Sequence, residues 1–195
     1  MLTRRALLAF SATTAAVLMA GPKAWAQEPT AFVVNLGNAM AAVVNGPGSL
    51  EEKKRRLNLL IEESVDIDGI ARFCLGRFWK DASPEQQRTF IQLFHAVLTS
   101  NIASRLGDFQ GISFTPTTTT QGENEARVGT IIRRPNQQPN NVQWWVSSVA
   151  GRPKIIDVVA EGTSLRVTQR SDYYAYLSRN SIDGLLAAMR KQAGV

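Results

Sequence analysis

Residues 126–149 read ARVGTIIRRPNQQPNNVQWWVSSV, two alternating segments separated by a turn rich in proline and asparagine. Apolar or β-branched residues occupy every second position of each segment: Val128, Thr130 and Ile132 in the first, and Val142, Trp144 and Val146 in the second. Such alternation is typical of strands that turn one face toward a core. The connecting turn favours antiparallel pairing of the two strands.

Two further β-branched segments flank this pair, so the sequence predicts a meander of four strands over residues 112–120, 126–133, 142–149 and 154–160. Apolar periodicity and capping signals predict helices over residues 30–44, 66–75, 83–106, 165–178 and 181–192, and one more that begins at Ser49. This segregation predicts an α+β fold, in which N-terminal helices pack on a curved four-stranded antiparallel sheet and C-terminal helices follow it.

The first residues have the order of a signal peptide. Arg4 and Arg5 precede an uncharged stretch over residues 6–20, and Ala24-Trp25-Ala26 provides small residues for cleavage. The apolar run is shorter than the ~20 residues that span a bilayer. We therefore expect residues 1–26 to be removed and residues 27–195 to form a single domain in the periplasm. The paired arginines suit twin-arginine export as well as the general secretory route.

The composition excludes several classes of function. Removal of residues 1–26 takes away three basic residues and no acid, so the formal charge falls from +6 to +3. No basic stripe interleaved with aromatic residues remains, which argues against nucleic-acid binding. His95 is the only histidine and Cys74 the only cysteine, so the chain has neither a zinc set nor an intramolecular disulfide. A lone cysteine of this kind is typical of a buried apolar position.

No catalytic residues, metal ligands or cofactor motif can be assigned, since no glycine-rich phosphate loop or nucleophile–base pair is present. One enzymatic alternative stays open, in which the isolated carboxylate of Asp157 acts as a base on a small apolar or isoprenoid substrate. Another alternative is a structural subunit of the cell envelope, whose core is filled by its own side chains.

Residues 73–86, FCLGRFWKDASPEQ, resemble the MlaC-type toluene-tolerance family, whose signature is Leu-Gly-x-x-Trp followed by Ser-Pro-Glu-Gln and an amphipathic helix. Residues 157–165, DVVAEGTSL, are similar to the family's second block. The chain departs from the family at Pro153, where a tryptophan is common, and around Ser100 and Asn101, where an aromatic residue is usual. These departures leave open the sister branch associated with hopanoid biosynthesis.

The resemblance implies a monomeric lipid carrier without enzymatic activity. It would hold phospholipid acyl chains, or a hopanoid, between sheet and helices, and exchange lipid between an outer-membrane lipoprotein complex and an inner-membrane ABC transporter complex. The residues expected to line the slot come from helices and strands: Phe73, Phe78, Trp79, Phe90, Phe94, Val97, Val128, Val142, Trp144, Val146, Ile156 and Val158. A core filled by these same side chains is the alternative.

Two residues carry separate expectations. Arg105 lies four residues after Asn101, on the apolar side of the long helix, where its guanidinium could pair with a lipid phosphate at the mouth of the slot. Trp145 points to the sheet face opposite Trp144. If the C-terminal helices leave Trp145 uncovered, it becomes a candidate for partner docking.

Overall fold

The computed structural model describes residues 22–104 and 110–195. Its helices are α1 (Pro22–Asn45), α2 (Leu50–Ser64), α3 (Ile67–Leu75), α4 (Phe78–Asp81), α5 (Pro84–Ser104), α6 (Leu165–Leu177) and α7 (Ile182–Ala193). Its strands are β1 (Ser113–Gln121), β2 (Glu125–Arg133), β3 (Asn140–Val149), β4 (Arg152–Ala160) and β5 (Thr163–Ser164). Within these residues no helix combines the length and apolarity that crossing a bilayer requires.

One antiparallel sheet in the order β1-β2-β3-β4-β5 confirms the predicted meander and the α+β class. The sheet has five strands rather than four, because β5 pairs with the end of β4 through Val159–Ser164 and Ala160–Thr163. The intervening Glu161 and Gly162 both have positive φ, as a tight hairpin turn requires. A two-residue strand is too short to show alternation, which explains its omission from the prediction.

Helix boundaries also differ from the predictions. The first helix begins at Pro22 instead of Thr30, and the four-residue α4 was not expected. Ser83 caps the long helix as predicted, since its hydroxyl accepts from the Gln86 backbone while the Gln86 side chain accepts from the Ser83 backbone. The predicted end of that helix, Leu106, lies outside the described residues.

The two edges of the sheet differ. Val65 bridges to Ile155, and the Asp66 backbone N–H donates to the Ile155 carbonyl, so the α2–α3 connection covers the edge of β4 that β5 leaves free. At the other edge, β1 is mostly exposed, contains Pro116, and shifts its register between Pro116 and Thr119. The helical part of the molecule therefore lies beside β4.

The helix α1 lies across β1 and β2. Its Gly37 is buried so close to β1 that a Cβ there would come 2.9 Å from the ring of Phe114. Near its start, the hydroxyl oxygens of Thr30 and Thr119 are 2.7 Å apart. At its end, Lys53 of α2 donates to the Val44 carbonyl, where a cation also meets the negative end of the helix dipole. The helix is thus tied to β1 and to α2.

Most buried apolar side chains of the described residues belong to three separate clusters. The helical cluster joins α3, α5, α6, α7 and the end of α2. The α1–sheet cluster consists of Val33, Val128 and Val146, with Phe32 and Trp144 packed against it. The hairpin cluster of α1 and α2 consists of Val44 and Leu57, with Met40, Val43 and Leu60 beside it. The helical cluster is by far the largest, and the other two are small satellites of the kind that usually accompany one continuous core.

Candidate ligand-binding site

The structure divides the residues that were expected to line one slot between two of these clusters. The helical cluster contains Phe90, Phe94 and Val97 as buried members, with Phe73, Phe78 and Trp79 packed against it. The α1–sheet cluster contains Val128, Val146 and Trp144. Helical aromatic residues and sheet residues therefore do not converge on one space.

Side chains from the C-terminal helices fill the space beside the aromatic residues of α5. Phe90 is fully buried, and its ring lies edge-on to Tyr173 of α6 with 5.6 Å between centroids. Phe94 packs against the same tyrosine at 6.4 Å. Sequence analysis missed this set of partners, which includes Tyr173, Leu177, Leu185, Leu186 and Met189. The i,i+4 spacing of these residues on two amphipathic helices is the pattern from which their burial could have been predicted.

The inner face of the sheet, which α1 covers, is continuous and apolar. Register pairs Ala126 with Val146, Val128 with Trp144, and Thr130 with Val142. The polar groups on this face are satisfied locally, because Trp144 donates to the Thr130 hydroxyl at 2.9 Å and that hydroxyl donates to the Val142 carbonyl. The face can therefore contact acyl chains without leaving a polar group unpaired.

In β4, the predicted lining residues have different environments. Val158 pairs with Trp144 across the strands, next to the inner-face row. Ile156 falls where the register shifts between Trp145 and Val146, since Trp145 pairs with Asp157 and Val146 with Ile155. The extra residue makes a bulge, which bends the strand locally. Both Val158 and Ile156 are half-buried.

A small cavity lies between the start of α1 and the ends of the central strands. It encloses about 120 Å³ and is lined by Pro29 together with Ala126, Val146 and Pro153, among others. Pockets that hold small organic ligands usually measure ~300–1,000 Å³. At this volume the cavity is too small for a ligand with acyl chains.

Asp157 is a structural residue rather than a free base. Its side chain is only 3% exposed and accepts hydrogen bonds from the Val158 and Arg166 backbone N–H groups and from the Ser164 hydroxyl. The Arg166 Nε lies 3.4 Å from the carboxylate. These bonds attach the start of α6 to β4, and they leave the carboxylate engaged on all sides. The enzymatic interpretation of Asp157 is thus not supported by its surroundings.

Other reactive side chains are also accounted for within the described residues. His95 contacts Asp68 at 2.9 Å on the surface between α5 and α3. The Cys74 thiol is buried and donates to the Arg166 carbonyl at 3.5 Å. Among residues 22–104 and 110–195, no cluster of His, Cys, Asp and Glu is suited to hold a metal ion.

We predict that Cys74 is unreactive in the folded protein. Burial, together with the nearby Asp157 carboxylate, raises the pKa of the thiol from 9.0 to about 12, so it stays protonated at neutral pH. Because the thiolate is the reactive species, labelling by a thiol-specific disulfide reagent should be slow at pH 8 and rapid in denaturant. Rapid labelling of the native protein at pH 8 would contradict the burial of this side chain.

The structure describes the surroundings of Trp145 but not those of Arg105. Trp145 is half-buried, because the guanidinium of Arg127 lies 4.2 Å and that of Arg166 5.4 Å from its ring centroid. Since Arg166 belongs to α6, the C-terminal part of the chain covers this tryptophan, which is therefore not a docking residue. Arg105 lies outside the described residues, and its proposed contact with phosphate stays a prediction.

Comparison with known proteins places this architecture in a family. The chain resembles the solved structure of a phospholipid-binding protein from Ralstonia solanacearum in complex with a phospholipid. The two share 20% sequence identity over 85% of this chain and 97% of the other, with a TM-score of 0.76. At this identity the likeness concerns the fold. A family model described as MlaC protein matches residues 36–191, from the middle of α1 to the last turns of α7. By this match across most of its length, the chain belongs to the MlaC protein family.

Proposed function

We propose that this chain is a periplasmic phospholipid carrier that shuttles lipid between an outer-membrane lipoprotein complex and an inner-membrane ABC transporter complex. The observation that carries the proposal is family membership over residues 36–191. The phospholipid held by a protein of the same fold adds support. MlaC-family proteins are lipid-binding carriers, so the chain is not an enzyme, as its sequence predicted.

The acyl chains bind between α1 and the inner face of the sheet. Val128, Val142, Trp144, Val146 and Val158 form the floor, and the helical cluster bounds the slot beside β4. Separation of the clusters supports this location, because the contacts of α1 with the sheet, at Val33 and at Gly37 beside Phe114, lie outside the helical cluster. The helix can therefore move without breaking the larger helical cluster.

Burial of apolar surface favours replacing the contacts between α1 and the sheet with contacts between an acyl chain and the sheet. Each acyl methylene that leaves water stabilises the bound state by about 0.8 kcal/mol. Burial of an acyl chain therefore compensates for the contacts between α1 and the sheet that are lost when α1 moves. The hydrogen bonds of Trp144 and Thr130 on the inner face are made within the sheet, so these side chains do not oppose this burial. Affinity for the lipid thus depends on the length of its acyl chains rather than on a specific polar contact.

The N-terminal residues support the proposed periplasmic location of the protein. Cleavage before Gln27 would leave α1 as residues 27–45, still long enough to cover β1 and β2. The mature domain then moves freely between the two membranes. Measurement of the intact mass of protein recovered from the periplasm tests the cleavage site.

Native mass spectrometry of the full chain, expressed with its own leader and purified from the periplasm, tests the function. We expect a fraction of the protein to carry extra mass that organic extraction identifies as phospholipid. A hopanoid in its place would assign the chain to the sister branch instead. Protein free of lipid after purification and after incubation with phospholipid vesicles would refute the carrier and favour a structural subunit.

A further inference from the structure

Three arginines form a surface where α3 and its C-terminal turn meet α6. Arg72, Arg77 and Arg170 are exposed, and none has a carboxylate within 4.0 Å among the described residues. Gly76 brings them together, because its backbone has a φ of 58° and passes so close to Arg170 that a Cβ would lie 3.1 Å from Nε. We call these three residues the arginine surface.

Aromatic rings hold the guanidinium groups in place. Arg77 lies 4.9 Å from the centroid of Phe78 and 4.6 Å from that of Tyr174. Arg170 lies 4.9 Å from Phe73, and Arg72 lies 5.3 Å from Trp79. Stacking on a ring face leaves the N–H groups at the guanidinium edge available to an anion. The surface is therefore ordered before any partner arrives.

Exposed apolar side chains adjoin the arginines on α6. Val167 is 49% exposed and Tyr174 is 48% exposed. They are seven residues apart, so they lie on the same side of the helix. Asp172 lies about 200° around the helix axis from Arg170, on another side of α6. The combination of unpaired arginines with half-exposed apolar groups is typical of an element that lies in a membrane interface.

Two other arginines nearby do have carboxylate partners. Arg127 pairs with Glu125 at 2.8 Å, and Arg166 pairs with Asp157. Each of these two guanidinium groups has a carboxylate partner in the same chain, whereas those of the arginine surface have none in the part of the chain that the structure describes. The surface is thus distinct from the arginines that maintain the fold.

We propose that the arginine surface, with Val167 and Tyr174, docks the protein on a bilayer that contains anionic phospholipid. Each guanidinium can bind a headgroup phosphate through two N–H groups, and the two apolar side chains enter the boundary between headgroups and acyl chains. An acidic protein surface would satisfy the charges alone, whereas a bilayer surface matches both the arginines and the exposed valine and tyrosine beside them. Docking here needs no movement of α1 and is therefore independent of the proposed slot.

Sedimentation with vesicles tests the proposal. Wild-type protein should bind vesicles of phosphatidylethanolamine and phosphatidylglycerol at low ionic strength, and should bind pure phosphatidylethanolamine much less. Each arginine near an anionic surface contributes about fivefold to partitioning. The double variant Arg77→Gln with Arg170→Gln should therefore bind about 25-fold more weakly. The matched control, Arg55→Gln with Arg190→Gln, removes the same charge from exposed positions on α2 and α7 and should bind like the wild type.

Val167→Gln separates apolar insertion from charge, and it should weaken binding even at high salt, where the arginine contribution is screened. Equal losses in both double variants would overturn the proposal, as would no binding of wild type to anionic vesicles. Equal affinity for poly-glutamate, with no effect of Val167→Gln, would assign the surface to an acidic protein and overturn docking on lipid. Mass spectrometry of extracted lipid from the same variants distinguishes failure of docking from failure of the carrier, because docking variants should retain lipid.

Discussion

Asp157→Ala is expected to lower the free energy of unfolding by about 3–5 kcal/mol, the cost of removing one partner from a buried ion pair. The substitution leaves two backbone N–H groups, those of Val158 and Arg166, without their acceptor. It also removes the carboxylate beside the Arg166 guanidinium, which is largely buried. Urea unfolding, followed by tryptophan fluorescence, measures the change.

A matched control is available on the helix that Asp157 anchors. Asp172 is exposed on α6, and Asp172→Ala should change the free energy of unfolding by no more than about 0.5 kcal/mol. Asp157→Asn keeps a carbonyl acceptor for the backbone and should have an intermediate effect. If Asp157→Ala costs as little as Asp172→Ala, the attachment of α6 to β4 does not depend on this carboxylate.

A disulfide between positions 30 and 119 is expected to reduce lipid uptake by at least about tenfold, because it confines the protein to the conformation in which α1 covers the sheet. The hydroxyl oxygens of Thr30 and Thr119 are 2.7 Å apart, so two cysteines at these positions place their sulfur atoms close to bonding distance. The double variant, Thr30→Cys with Thr119→Cys, should take up little phospholipid from vesicles when oxidised. Reduction with dithiothreitol should restore uptake.

Native mass spectrometry measures lipid uptake and the formation of the crosslink in the same sample. The single variants Thr30→Cys and Thr119→Cys serve as controls, since neither can close the disulfide within one chain. Cys74 is buried with a raised pKa, so it does not compete in disulfide exchange. Unchanged uptake by the oxidised double variant would show that acyl chains enter without movement of α1 and would remove the proposed slot.

Local patterns were sufficient to predict most of the fold. Alternation in residues 126–149 predicted β2 and β3 because the burial of a strand face repeats every second residue. Ser83 and Gln86 predicted the start of α5 because a capping box involves neighbours three residues apart. The elements that were missed, α4 and β5, are too short to contain a full period.

The neighbours of the predicted lining residues could not be read from the sequence, because they depend on contacts between distant residues, and the lining itself stays a prediction. The apolar face of α5 showed that Phe90 and Phe94 are buried, but not that Tyr173 of α6 is their neighbour. Aromatic residues that pack against another helix have the same periodicity as those that line a ligand slot. Only the structure separates the helical cluster from the α1–sheet cluster, on which the proposed location of the slot depends.

The proposed movement of α1 has a consequence for the outer edge of β1, which pairs with no strand among the described residues. While α1 is displaced, the inner face and the adjoining edge are open to a second copy, a situation that promotes aggregation through strand pairing. Pro116 lacks an N–H, and the shifted register between Pro116 and Thr119 interrupts the row of backbone donors and acceptors. The exposed threonines of this strand add no apolar surface. The edge is thus a poor template for intermolecular β-structure, which would protect the proposed open state from pairing with a second copy.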